Sequence, residues 1–150
     1  MKKKIIFSIV SIVALIFIIS CQKEETYKNK YQDYQTFSSA YPVCGDYVVN
    51  WYQGGALVIP GTTILSIYNT STDASKIWVD DNGQFWNFKT KANLSGTAFG
   101  VTNGIEVNLG DTTTITKGSV SGDAIYLELK WSTDPTNTYV CKGTRRTGRE

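Results

Sequence analysis

The chain of 150 residues contains no histidine. Ser-His-Asp and Cys-His hydrolase chemistry is thereby excluded, because no imidazole is present to serve as general base. A Gly-x-Ser-x-Gly nucleophile elbow is missing as well, since Gly118-Ser119-Val120-Ser121-Gly122 places valine at the nucleophile position. Any metal site would have to be built from carboxylates. Asp80 and Asp81 are the only adjacent acidic pair in the part that reads as folded, and neighbouring strand residues point to opposite faces. They are better suited to opening the Asp81-Asn82-Gly83 turn. A two-carboxylate glycosidase built from Asp46, Asp80, Glu106, Asp123 and Glu128 is compatible with composition, but no spacing favours it. The sequence therefore reads as a non-enzyme with no cofactor.

Excess charge is also scarce, and the little there is sits at one end. Lys2, Lys3 and Lys4 precede an apolar run from Ile5 to Ile19, the pattern of a signal peptide. That run falls short of the ~20 apolar residues that cross a bilayer. It ends in Ile18-Ile19-Ser20-Cys21, which resembles a lipobox, so residues 1–20 are expected to be removed and Cys21 to carry diacylglycerol and palmitate. Without residues 1–20 the chain keeps 12 basic and 13 acidic residues, a formal charge of −1. Nucleic acid is not an expected partner, since such domains show a basic face. Gln22-Lys23-Glu24-Glu25 resembles the lipoprotein export signal of Bacteroidetes, which implies an outer-membrane protein displayed on the cell surface, with the periplasmic side as the alternative. A solvated charged tether would have the same composition.

Only three cysteines are present, and lipidation of Cys21 leaves Cys44 and Cys141. In an oxidising envelope they can form a disulfide or remain two buried thiols. Residues 21–43, rich in Lys, Gln, Tyr and Ser, read as a lipidated N-terminus and tether. Tyr27, Tyr31, Tyr34, Phe37 and Tyr41 recur at helical spacing within it, so a short helix and a flexible arm are both consistent.

From residue 44 to 150 the chain changes to short runs of aromatic and β-branched residues separated by Gly, Asn, Asp and Pro, an all-β pattern. Expected strands cover residues 46–53, 62–69, 75–80, 84–91, 94–99, 104–109, 112–120, 123–132 and 138–147. Turns are expected at Asp81-Asn82-Gly83, Ser121-Gly122 and Asp134-Pro135-Thr136-Asn137. An antiparallel up-and-down meander of eight or nine strands escapes exposed edges by closing into a barrel. Ile125, Leu127, Leu129 and Trp131 alternate with Tyr126, Glu128 and Lys130, and the first set is expected to face inward.

Residues Ile77 to Lys89 (IWVDDNGQFWNFK) together with Lys142-Gly143-Thr144-Arg145-Arg146-Thr147-Gly148 resemble the Bacteroidetes lipoproteins termed lipid-binding putative hydrolases. The resemblance implies a lipocalin-like, calycin-type barrel. In such barrels a Gly-x-Trp opening the first strand is covered by a basic residue from the last. Gly45-Asp46-Tyr47 matches with tyrosine in place of tryptophan, and Arg145 or Arg146 supplies the cation. A bond between Cys44 and Cys141 fits this picture, because first and last strands are neighbours.

A barrel of this size can enclose a small apolar or amphipathic ligand. Trp51, Trp78, Trp86, Phe88 and Trp131 are the candidate ligand-binding residues, although rings at alternating spacing also build a solid core. A surface glycan-binding or adhesion module, and a structural subunit docked on an outer-membrane protein, are the alternative readings.

Overall fold

A computed structural model describes residues 39–146. Its strands are β1 (Gly45–Gln53), β2 (Ala56–Leu57), β3 (Thr63–Asn69), β4 (Lys76–Asp80), β5 (Lys89–Ser95), β6 (Ala98–Ile105), β7 (Thr112–Ser121), β8 (Ala124–Trp131) and β9 (Asp134–Arg145). Each strand from β3 to β9 pairs antiparallel with the one before it in the order β1-β3-β4-β5-β6-β7-β8-β9, and β9 returns to β1 from Tyr47↔Arg145 to Gln53↔Tyr139. The expected antiparallel barrel is thus present as eight closed strands, with β2 adding two residues beside the end of β1. Closure leaves no long edge for another chain to pair with.

Alternation sets the faces, and in β8 they are the expected ones. Tyr47, Val49 and Trp51 of β1 and Ile125, Leu127, Leu129 and Trp131 of β8 point into the lumen, while Tyr126, Glu128 and Lys130 point out. Buried hydrophobic side chains from every long strand, with Phe88, are at most 5% exposed and form one cluster, against which Leu94 and Val101 pack partly buried. Side chains so little exposed pack against one another across the lumen.

Several expected boundaries are corrected. Residues 84–91 do not form one strand: 81–88 is a loop and β5 begins at Lys89. Asn87 has φ +56°, outside the extended region of a regular strand. The expected strand 94–99 straddles a hairpin at Gly96 (φ +62°), and β6 ends at Ile105 rather than continuing to Leu109. The last reversal is Ser132-Thr133, so Asp134-Pro135-Thr136-Asn137 opens β9 instead of forming the turn. The packed fold also starts earlier than residue 44, for Ala40 and Val43 are buried and the Tyr47 hydroxyl donates to the Val43 carbonyl at 2.7 Å. Cys21, the export signal and the Tyr27-to-Phe37 stripe lie outside the described residues; Tyr41 is exposed in the 39–43 turn.

The disulfide is corrected too, since Cys44 and Cys141 are both free. β1 and β9 are neighbours, but the register sets Cys141 opposite Trp51, seven residues along from Cys44. At ~3.3 Å per residue that is roughly 23 Å, whereas a disulfide spans Cα atoms under about 7 Å apart. Burial pushes both thiols up, Cys141 far above the usual range. A reducing agent is therefore expected to leave the melting temperature unchanged, and a thiol reagent to label Cys44 before Cys141. A lower melting temperature on reduction would contradict this register.

At the closed base the Arg145 guanidinium lies 5.3 Å from the Tyr47 ring centroid and donates to the carbonyls of Cys44 and Pro42. Arg146 does not share this position; its backbone N–H donates to the Asp46 carbonyl.

Candidate ligand-binding site

The opposite end of the barrel is built from the loops 54–62, 81–88, 106–111 and 132–133. The 81–88 loop folds across the mouth because one carboxylate organises it. Asp81, 1% exposed, accepts N–H groups from Gly83 (2.8 Å), Phe85 (3.2 Å) and Trp86 (2.6 Å). Asn82 and Gly83 supply the positive φ angles of the turn. The Asn82 amide donates to the Ile64 carbonyl and the Ser66 hydroxyl, and Gln84 accepts the Ile64 N–H at 2.8 Å, which ties the loop to β3.

This loop carries rings into the mouth. Phe85 stacks on Trp51 with centroids 4.2 Å apart and planes 13° from parallel. Trp86 stacks on Trp131 at 5.8 Å and 17°. Phe88 meets Trp131 edge-on at 5.1 Å and Trp51 at 5.9 Å, and Tyr139 meets Phe85 edge-on at 5.6 Å. Four of the five candidate residues, Trp51, Trp86, Phe88 and Trp131, are thus gathered at one end. Phe85 and Tyr139 join them without having been singled out. Tyr139 was legible from its alternation with Cys141, while Phe85 required knowing that 81–88 is a loop.

Trp78 is not part of this cluster. In β4 the inward positions are Ile77 and Val79, which leaves Trp78 on the outer wall between Lys89 (5.3 Å) and Lys91 (4.8 Å).

Polar groups near the mouth are mostly engaged. Fully buried Glu106 accepts the backbone N–H groups of Lys89 and Leu109. Asp134 accepts from the Asn137 amide and, at 2.8 Å, from the Tyr139 hydroxyl. The amide, then the phenol, holds the Asp134 carboxyl below its ordinary range, and the same carboxylate raises the Tyr139 phenol. Two buried donors stand apart: the Thr113 hydroxyl and the Trp131 indole N–H have no partner among the described residues, and Thr113 and Trp131 face each other across β7 and β8. Such orphaned donors are costly in a packed interior.

Around the cluster the rim is apolar. Leu57, Val58, Trp86 and Leu109 are exposed, and residues 54–62 carry no charge. Among the described residues no three Cys, Asp or Glu side chains converge as a metal site would require. Fold and rim together define a small closed antiparallel barrel with an aromatic, apolar mouth.

The chain belongs to the lipid-binding putative hydrolase family, whose profile matches residues 32–150. No curated protein matches it. Among solved structures it is similar to a redesigned β-barrel, at 12% identity and a TM-score of 0.45, over 72% of this chain and 95% of that one.

Proposed function

We propose that this is a lipid-anchored lipoprotein of the outer membrane, surface-exposed, whose barrel holds a small apolar or amphipathic ligand at the aromatic mouth without catalysing a reaction. The observation that carries the binding mode is the 81–88 loop. Its Phe85 and Trp86 side chains cover Trp51 and Trp131, and beneath them two buried donors lack acceptors. These two rings stand where the apolar body of a ligand would lie. An amphiphile that displaces them gains the same aromatic surfaces, and its acceptor oxygen can satisfy Thr113 and Trp131. Family membership supports a lipid-like ligand. The non-catalytic reading is supported by the absence of histidine and by the engagement of Asp81 and Glu106 with backbone N–H groups.

Titration with myristate, followed through the indole N–H resonances of Trp86 and Trp131, tests the mouth. Trp86→Ala is expected to tighten binding severalfold, because it removes an internal competitor, and Thr113→Val to weaken it. Weaker binding in Trp86→Ala would show that the ring is only a contact surface and would overturn the displacement reading.

A further inference from the structure

The barrel wall is open at one place. β5 and β6 pair from Asn93↔Gly100 to Ser95↔Ala98, and then meet again only at the single bridge Thr90↔Glu106. Between these points the five residues Val101 to Ile105 face only Lys91 and Ala92. Against β7, β6 carries an extra residue between Val101 and Gly104, where Asn103 is left-handed (φ +50°). The excess residues bend β6 away from β5, as bulges do. A groove of about 410 Å³ results, lined by Trp78, Val101, Ile105 and Val107, with Lys76 and Lys91 among its walls.

Its chemistry is one-sided. Ile105 is 74% exposed and Val107 55%, an unusual display for β-branched residues beside a packed sheet. No carboxylate lines the groove. The Lys91 ammonium lies 4.8 Å from the Trp78 ring centroid and forms no ion pair among the described residues, unlike Lys89, which meets Asp80 at 3.3 Å. Lys76 is paired with Asp73 at 3.2 Å, but both are solvent-exposed, and such pairs hold their partners weakly.

We propose that this outer-wall groove is a second binding site, separate from the mouth, for a single-chain anionic amphiphile. The alkyl chain lies on Val101, Ile105, Val107 and the face of Trp78, and the anionic head meets Lys91 and Lys76. A cationic amphiphile would set its charge against two ammonium groups, and an uncharged one would leave them without a counter-ion.

The four tryptophans separate this site from the mouth, because Trp78 alone stands at the groove while Trp51, Trp86 and Trp131 stand at the mouth. The full chain is titrated with myristate, tetradecanol and tetradecyltrimethylammonium below their aggregation limits, and the indole N–H resonances are followed. Myristate is expected to shift Trp78 and to bind there at least tenfold more tightly than either other probe. Lys91→Glu, a change at an exposed position, is expected to abolish that preference, and Ile105→Asp to weaken all three probes. Equal affinities for the three headgroups, or an unchanged preference in Lys91→Glu, would overturn the proposal. So would a myristate response confined to Trp86 and Trp131, which would support the mouth alone. A Trp78 response with silent mouth resonances would support the groove and refute the mouth.

Discussion

Gly143→Ala is expected to lower stability by at least about 3 kcal/mol, near the upper end of what overpacking costs, and to reduce the melting temperature by roughly 10 °C or more. Gly143 lies in β9 opposite Val49 of β1, on the seam that closes the barrel. A Cβ built there would sit 2.0 Å from the Val48 carbonyl oxygen and 2.7 Å from the Val49 Cα. Both are backbone atoms, so relief requires the two strands to separate, and separation opens the seam. Gly118 is a useful contrast. Its Cβ would also collide, with the Phe99 ring at 2.4 Å and the Phe99 carbonyl oxygen at 2.7 Å, but the ring can shift and the backbone contact is less close than the 2.0 Å at Gly143, so Gly118→Ala is expected to be the milder change. Thermal and urea melts of the two variants beside Thr144→Ala, at an exposed neighbour, measure this. Gly143→Ala melting within a few degrees of the parent would show that the β1–β9 contact is looser than described.

Asp81→Ala is expected to destabilise by about 3 kcal/mol, because three backbone N–H groups lose a charged acceptor at a buried site. The effect reaches further than the loop. Phe85 and Trp86 are held over Trp51 and Trp131 by that acceptor, so its loss should release both rings and shift tryptophan emission to the red. Asp81→Asn keeps one oxygen acceptor and is expected to lose less of both stability and emission. If the proposed displacement at the mouth is correct, Asp81→Ala also tightens myristate binding, for the same reason as Trp86→Ala. Unaltered emission in Asp81→Ala would mean that aromatic stacking alone keeps the loop closed.

How far these features were legible differs from residue to residue. The alternation in Tyr47-Val48-Val49-Asn50-Trp51 and in Ile125 to Trp131 reports local geometry, because side chains on a strand change face at every step. It placed the β8 set where the structure has it, whereas in β1, with rings on both faces, it left the choice of face to the structure. The 84–91 segment misled for a related reason: Phe85, Trp86 and Phe88 have strand-like composition, but Asp81 accepts the Phe85 and Trp86 N–H groups that a ladder would use. Trp78 misled through phase, since both faces of β4 carry large apolar residues and only its neighbours in the sheet select Ile77 and Val79 for the interior. The disulfide required register, which depends on where β9 aligns on β1 and not on which strands are adjacent.

Sequence alone determined the all-β class, the antiparallel order, the absence of imidazole chemistry, and the expectation of a lipid anchor at Cys21. These follow from composition, periodicity and short motifs, each local along the chain. Tertiary structure decided that a loop closes the mouth, that two cysteines on neighbouring strands stay apart, and that β5 and β6 part to form a groove. Each of these depends on how residues distant in sequence are aligned across the barrel, and alignment is set by the packing of the whole wall.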